Sequence, residues 1–182
     1  MTSPMLYLLV GLPGAGKTTE ALRLAEAERA VRLSPDEWML PLFGESDPNG
    51  LRDVMEGRLI WVGLEALRAG ANVVIDFGLW GRDERTALRS MAGSVGARAV
   101  VIFADPPEPE RRRRIEQRYA ADPETTFAMT EAEIDDHLRV FQRPDDSELG
   151  DGPLDPVPAG FTSWADWAAD RWPSLRLPSR PR

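Results

Sequence analysis

Six consecutive apolar residues, Met5-Leu6-Tyr7-Leu8-Leu9-Val10, run straight into a glycine-rich turn that opens at Gly11. An unbroken apolar run of this length, bounded by glycine, is the pattern of a strand buried on both faces. Between Thr18 and Ala30 the period changes to that of a helix: Ala21, Leu24 and Ala25 recur on one side, with Glu26, Glu28 and Arg29 outside. A second short strand, Ala30 to Leu33, ends at Ser34-Pro35-Asp36. Turn formers fill positions 44–50, and Ile60, Leu64 and Leu67 then mark one face of a long helix that reaches about Ala69 and stops at Gly70. A strand from Asn72 to Asp76, a helix from Asp83 to about Val95, a strand from Ala97 to Phe103 and an arginine-rich helix from about Pro109 repeat the alternation. Strands alternating with helices predict a mostly parallel sheet covered on both faces, a three-layer α/β sandwich.

Beyond residue 122 the pattern loosens. Thr130 and Glu133 stand in capping-box spacing at the head of a helix that runs to Phe141. A stretch rich in Pro, Asp and Gly follows from 144 to 160, with room for a weak strand at Leu154 to Val157. Phe161 to Trp172 reads as a short helix carrying Trp164 and Trp167, and Pro173 to Arg182 as an irregular tail. No repeat breaks the chain, so residues 1–172 are expected to form one domain, with a lid at about 108–130.

Composition narrows the possibilities. No apolar run approaches the eighteen residues of a membrane span, and Met1-Thr2-Ser3-Pro4 lacks the basic and apolar start of a signal peptide, so a cytoplasmic protein without membrane attachment is expected. The absence of cysteine removes disulfides, thiolate metal sites and thiol nucleophiles together. Residues 1–121 are nearly neutral at −1, residues 122–170 carry −11 and the last twelve residues +4, so no general basic surface for a nucleic-acid backbone is present. Of the 22 basic residues 21 are arginine, and the single lysine is Lys17.

That lysine stands in Gly11-Leu12-Pro13-Gly14-Ala15-Gly16-Lys17-Thr18, which fits G-x-x-x-x-G-K-[ST] at every fixed position and lies between a predicted buried strand and a predicted helix. Gly11, Pro13, Gly14, Ala15 and Gly16 would wrap successive backbone N–H groups around phosphate oxygens, and the helix beginning at Lys17, Thr18 and Thr19 presents its positive end. Lys17 reaches the β and γ phosphates, and Thr18 offers a hydroxyl to Mg²⁺. A guanine-reading N-K-x-D motif needs a second lysine, so ATP is the expected nucleotide. The tripeptide Asp76-Phe77-Gly78 spells a protein-kinase signature, but the separate strand lysine and the H-R-D loop are missing, so it is read as coincidence.

In open α/β sheets ligands sit beyond the carboxyl ends of the strands. Asp36 follows the second strand and Asp76 ends the third. Asp36 is assigned as the base on the acceptor side, with N-capping of a helix as its alternative role, and Asp76 as the carboxylate of the metal shell. On the arginine-rich helix Arg111, Arg114 and Arg118 share a face, suited to a lid that places guanidinium groups on a transferring phosphoryl group. Arg114 and Arg118 are the catalytic candidates. Trp38 and Trp80, two and four residues past the aspartates, are placed to wall an acceptor pocket or to pack in the core. Arg82 and Arg85 rank lower as phosphate or substrate contacts, and His137, between acidic neighbours, reads as a surface residue.

Taken in order, Gly11 to Thr19, Leu33 to Glu37, Val73 to Asp76, the trio Arg82, Glu84 and Arg85, and the arginine-rich helix resemble the small P-loop kinases. That group includes polynucleotide 5′-kinase domains, chloramphenicol phosphotransferase, zeta-toxin kinases and bacterial AAA-family ATPases. The resemblance spans residues 4–149 and implies an ATP- and Mg²⁺-dependent phosphotransferase acting on an alcohol group. It maps an acceptor-side aspartate onto Asp36 and lid arginines onto Arg114 and Arg118. Polynucleotide kinases carry an arginine three residues after that aspartate, where this chain has Met39, so a small-molecule hydroxyl is the expected acceptor rather than nucleic acid. A polynucleotide 5′-hydroxyl kinase and a regulatory ATPase without an acceptor are the alternatives.

Overall fold

In the computed structural model, which describes residues 3–122 and 129–175, the first apolar run forms β1 (Met5–Val10). Its side chains divide between two cores. Leu6, Leu8 and Val10 enter the larger one, and Tyr7 and Leu9 the smaller. A strand buried on both faces carries no alternation, which is why the run is continuous.

The chain continues through α1 (Lys17–Ala27), β2 (Val31–Leu33), α2 (Asp36–Phe43), α3 (Leu51–Arg68), β3 (Val73–Ile75), α4 (Arg82–Ser94), β4 (Arg98–Phe103), α5 (Glu108–Ala121), α6 (Glu131–Val140), α7 (Asp146–Leu149) and α8 (Trp164–Arg171). Four strands pair in the order β2-β3-β1-β4, every pair parallel. Ala21 and Leu24 of α1 cover one face with Tyr7, Leu9 and Val74. Leu59, Ile60, Leu64 and Leu67 of α3, Ala87 and Leu88 of α4, and Trp164 and Ala168 of α8 cover the other. The result is the expected three-layer α/β sandwich. β3 and β4 flank β1 on opposite sides, so the glycine-rich turn after β1 lies at the crevice where ligands bind such sheets.

The predicted α6 forms as expected, with Thr130 Oγ1 accepting from Glu133 N and Glu133 Oε2 from Thr130 N. Two expectations, the weak strand and the start of the tail, are corrected, and two helices are added. The helix that the sequence allowed to start at Asp36 forms as α2, with Pro41 inside it. The weak strand at Leu154–Val157 does not form; the segment is irregular and contains no run of apolar residues to pair with the sheet. Within the Pro/Asp/Gly-rich stretch a short helix, α7, is capped by Asp145, whose Oδ1 accepts from Glu148 N at 2.9 Å.

The expected irregular tail begins later than residue 173. Pro173–Leu175 form a 3-10 turn packed on α3, with Trp172 fully buried and Leu175 4% exposed. Gly57 of α3 makes room for it: a Cβ there would stand 3.1 Å from Leu175 N and 3.2 Å from Trp172 Cβ. Residues 176–182, and 123–128 of the expected lid, lie outside the described residues.

Candidate functional site

Gly11 and Gly14 are forced by what approaches them, and Gly16 by its backbone angle. Gly11 has φ +154°, and a Cβ there would sit 2.6 Å from Ala104 O beyond β4. Gly14 has φ +75°, and its Cβ would collide with the carbonyl of Arg111, so the loop and α5 touch backbone to backbone. Ala15 is buried and donates its N–H to Leu12 O at 3.1 Å, while Pro13 is half-buried. Gly16, at φ +91°, caps α1 without a side chain, leaving the first N–H groups of the helix open to a ligand, and Thr18 and Thr19 of the first turn are exposed.

Lys17 curls back so that Nζ donates to Leu12 O at 3.1 Å. Burial pulls its ammonium from the ordinary lysine value down to about 8; Asp76 and Asp36 oppose that shift, and Arg118 and Arg111 add to it. The two candidate carboxylates and two of the helix arginines therefore all act on one ammonium.

Asp76 is 5% exposed and follows β3, where its N–H continues the ladder to Leu33 O. Arg32 of β2 donates to its Oδ2 twice, from Nε at 2.9 Å and Nη2 at 2.6 Å, and also pairs with Glu37. Oδ1 takes no hydrogen bond among the described residues. Asp36 is half-exposed on the first turn of α2; its side chain does not cap that helix but accepts from Arg52 Nη1 at 2.9 Å. Arg52 also donates from Nε to Glu56 at 3.2 Å, and Glu56 accepts from Trp172 Nε1 at 3.1 Å.

Among the described residues no group of three His, Asp or Glu is arranged to hold a metal ion. The exposed Thr18 hydroxyl and the free Oδ1 of Asp76 are the protein groups that would meet a Mg²⁺ carried by nucleotide phosphates.

Of the helix arginines, Arg111 is the one whose backbone meets the loop. It is 4% exposed, its backbone abuts Gly14, and it makes no ion pair among the described residues. The sequence grouped it with Arg114 and Arg118 but ranked those two above it. Arg114 Nη1 lies 3.3 Å from where a Gly16 Cβ would stand, and the side chain pairs with Glu110. Arg118 is exposed and free of ion pairs among the described residues. An open cleft of about 580 Å³ lies between Ala15, Gly16 and Thr19 on one side and Phe103, Ala104 and Arg114 on the other.

The model of an AAA domain family matches residues 6–144. The chain belongs to that family. The AAA domain match takes in every site residue from Gly11 to Arg118 and ends before α7 and α8. No protein of curated function matches the sequence. Among solved structures, a chain of the Pnkp1/Rnl/Hen1 RNA repair complex aligns with a TM-score of 0.64 and 23% identity over 87% of this chain and 49% of that chain, so this AAA domain protein spans about half the length of that relative. A gluconokinase from Sinorhizobium meliloti 1021 aligns with a TM-score of 0.58 and 16% identity over 96% of this chain and 93% of its own. The APS kinase CysC of Mycobacterium tuberculosis, solved with AMPPNP and APS, aligns with a TM-score of 0.56 and 17% identity over 97% and 100%. These likenesses establish the P-loop fold.

The remaining candidates of the AAA domain are placed differently from their sequence reading. Arg85 is fully buried in a bidentate pair with Glu148 of α7, at 2.7 and 2.9 Å, and also donates to Leu79 O at 3.0 Å. Arg82 pairs with Asp145 and Asp155, and Arg89 donates to Gly152 O at 2.6 Å. These arginines of α4 hold the 145–155 segment rather than a phosphate. Trp38 is 51% exposed on α2, beside Asp36. Trp80 packs on His137 with ring centroids 4.5 Å apart, so His137 is half-buried rather than a surface residue.

Proposed function

We propose that this protein is an ATP- and Mg²⁺-dependent kinase that transfers the γ-phosphoryl group to a hydroxyl of a small-molecule acceptor. The observation that carries this reading is the convergence on Lys17 of two carboxylates, Asp36 and Asp76, and two arginines, Arg111 and Arg118. A half-exposed carboxylate at the mouth of a phosphate site is suited to take a proton from an attacking hydroxyl.

In this reading Gly11, Pro13, Gly14, Ala15 and Gly16 cradle the phosphates through backbone N–H groups, with Thr18 and Thr19 at the positive end of α1. The cleft between Thr19 and Phe103 takes the nucleoside. Lys17 bridges the β and γ phosphates and follows the charge as the γ group moves. Asp36 orients the acceptor hydroxyl and takes its proton as the oxygen attacks phosphorus in line. Arg114 and Arg118, with Arg111 behind them, donate to the transferring group from α5, the first helix of the lid at about 108–130. Thr18 and Asp76 would hold Mg²⁺, the latter through water, and the ion supplies charge neutralisation between the phosphates. Arg32 keeps the Asp76 carboxylate turned so that Oδ1 faces away from its own pair.

The small-molecule acceptor is favoured by α2. Met39 is fully buried, so that helix sends no cation from this position toward an acceptor phosphate, and its exposed face offers Trp38, Leu42 and Phe43 instead. The test is incubation with γ-labelled ATP and a panel of hydroxylated metabolites, nucleosides, antibiotics and 5′-hydroxyl oligonucleotides, read by mass spectrometry. Label on a small molecule supports the reading. Label on oligonucleotide ends replaces the acceptor with a polynucleotide, and label released only as free phosphate replaces the kinase with a regulatory ATPase.

A further inference from the structure

The apolar stripe that seats α3 on the sheet begins with a carboxylate. Leu59, Ile60, Leu64 and Leu67 recur at helical spacing and are buried, and Glu56, one turn earlier on the same face, is buried with them. No step of the proposed transfer uses it. A carboxylate withdrawn from water destabilises the fold unless it is bonded, and both oxygens of Glu56 are. Oε2 accepts from Trp172 Nε1 at 3.1 Å, and Oε1 accepts from Arg52 Nε at 3.2 Å. Arg52, one turn nearer the amino end of α3, turns its other end to the acceptor side. There Nη1 donates to Asp36 Oδ1 at 2.9 Å and to Ser46 O at 3.4 Å. One guanidinium thus spans a buried carboxylate and the half-exposed carboxylate of the candidate base.

The far end of this chain of bonds is packed in place. Trp172 is fully buried and meets Trp167 edge to face, with ring centroids 6.1 Å apart. Arg171 beside it pairs with Asp53 of α3 at 2.7 Å and with Glu84 of α4 at 2.8 Å. Both residues lie past position 144, where the AAA domain match ends. The near end is more open, since Arg52 is partly exposed and Asp36 half-exposed. The hold on Arg52 then depends on the charge of Glu56. Burial raises that carboxyl to about 7; Arg52, the Trp172 indole and Arg171 lower it, and Glu84 raises it. Those groups, with Asp53 paired behind Arg171, face it from α3, the carboxyl-terminal segment and α4. An ionised Glu56 fixes Nε, so the guanidinium offers Asp36 a single corner and leaves Oδ2 to an acceptor hydroxyl. A protonated Glu56 gives up the charge that holds Nε. The guanidinium then turns onto Asp36 as a two-pronged pair, the geometry arginine favours with a carboxylate, and both oxygens are taken.

We propose that Glu56 is a positioning residue of the acceptor side: held by Trp172, it sets through Arg52 whether Asp36 presents a free oxygen to the acceptor hydroxyl. This rests on the kinase reading above and deepens it. Transfer becomes dependent on the carboxyl-terminal segment and on one proton at Glu56, although neither touches the reacting atoms.

The link is read first in the free protein, from side-chain carboxyl ¹³C signals followed from about pH 5 to about pH 10 and assigned with Glu56→Gln and Asp36→Asn. The Glu56 signal titrates at about 7, and the Asp36 signal shifts through the same range. That Asp36 step disappears in Glu56→Gln, and in Arg52→Ala it disappears while Glu56 still titrates. In Trp172→Phe, which keeps an aromatic ring and removes the N–H, both steps move together to higher pH. Function is read with γ-labelled ATP and the panel of hydroxylated metabolites, nucleosides, antibiotics and 5′-hydroxyl oligonucleotides. The labelling rate of the wild type divided by that of Glu56→Gln rises about three- to tenfold between about pH 6 and pH 8, with KM for ATP unchanged. That ratio cancels the titration of Lys17, which both proteins share. No step at Asp36, whether because Glu56 keeps one charge state or because Asp36 ignores it, overturns the proposal and leaves the kinase reading standing. So does a step that survives in Arg52→Ala, or a constant ratio of rates. If no panel compound takes label from the wild type, the kinase reading falls and the proposal falls with it.

Discussion

Arg52 Nη1 lies 2.9 Å from Asp36 Oδ1 while its Nε is 3.2 Å from Glu56, whose other oxygen accepts from Trp172 at 3.1 Å. The carboxylate proposed as acceptor base is thus oriented from α3, and α3 in turn from the carboxyl-terminal helix. Asp36→Asn keeps the hydrogen bond to Arg52 but loses the proton acceptor, so transfer should fall by about 10²–10⁴-fold with AMP-PNP affinity unchanged. Arg52→Ala leaves the base present but unheld; turnover should fall about tenfold, again without loss of nucleotide affinity. Single-turnover transfer and calorimetry separate the two terms. Normal transfer by Asp36→Asn would remove the base assignment.

Lys17 carries a pH dependence of its own. Its ammonium titrates at about 8 in the free protein because burial outweighs the attraction of Asp76 and Asp36. Bound phosphates favour the charged form, so above that pH binding must take up a proton. AMP-PNP affinity should therefore fall as pH rises from about 8, by as much as about tenfold per unit, with proton uptake visible as buffer-dependent heat in calorimetry. Lys17→Ala should bind no nucleotide at any pH. An affinity constant through this range would mean that the lysine stays charged and does not bridge the phosphates.

The two halves of the site differ in how much of them the sequence discloses. The loop from Gly11 to Thr18 is local: its glycines, lysine and flanking apolar strand are contiguous, so pattern and context suffice. Asp36 and Asp76 follow from the rule about strand ends, which needs only the alternation of elements. Arg52, Glu56 and Trp172 are scattered over more than a hundred residues and meet only because α8 folds back onto α3 and α4, and no periodicity encodes that. Arg82 and Arg85 looked like solvated helix-face residues because their partners Asp145, Glu148 and Asp155 lie sixty or more positions away in a stretch too polar to read as structure. His137 misled for the opposite reason. Its neighbours Asp135 and Asp136 are solvent-facing, but one helical position turns the ring by about 100° and onto Trp80.

Glu56 is 5% exposed, and burial raises its carboxyl to about 7 in spite of Arg52 and the Trp172 indole, both of which lower it. A folded-state value above the unfolded one means that the native state binds the proton more tightly. The associated stability is fully present below the unfolded value of 4.5 and is lost as pH rises through about 7. Glu56→Gln has no such dependence. Relative to the wild type it should gain stability between about pH 5 and pH 8, by at most about 3 kcal/mol, in urea unfolding at the two pH values. Parallel stability curves for the two proteins would show that Glu56 is ionised at both.

The buried pair of Arg85 and Glu148 makes the strongest demand on stability. Both side chains are almost wholly withdrawn from water, at 0% and 2% exposure, and face each other in two hydrogen bonds of 2.7 and 2.9 Å. Arg85 also donates to the carbonyls of Leu79 and Trp80, so it holds the segment that packs Trp80 on His137. Removing one partner strands the other charge in a dry interior, and Arg85→Met alone or Glu148→Leu alone should cost about 3–5 kcal/mol. Replacing both together removes the stranded charge, so the double variant should recover most of that loss, though the two carbonyls remain without a donor. The Trp80 indole resonance reports on those carbonyl bonds separately: in the double variant it should be displaced or broadened even where the fold is restored. A double variant as unstable as the worse single one would show that the carbonyl bonds to the segment before α4, not the ion pair to α7, carry the stability.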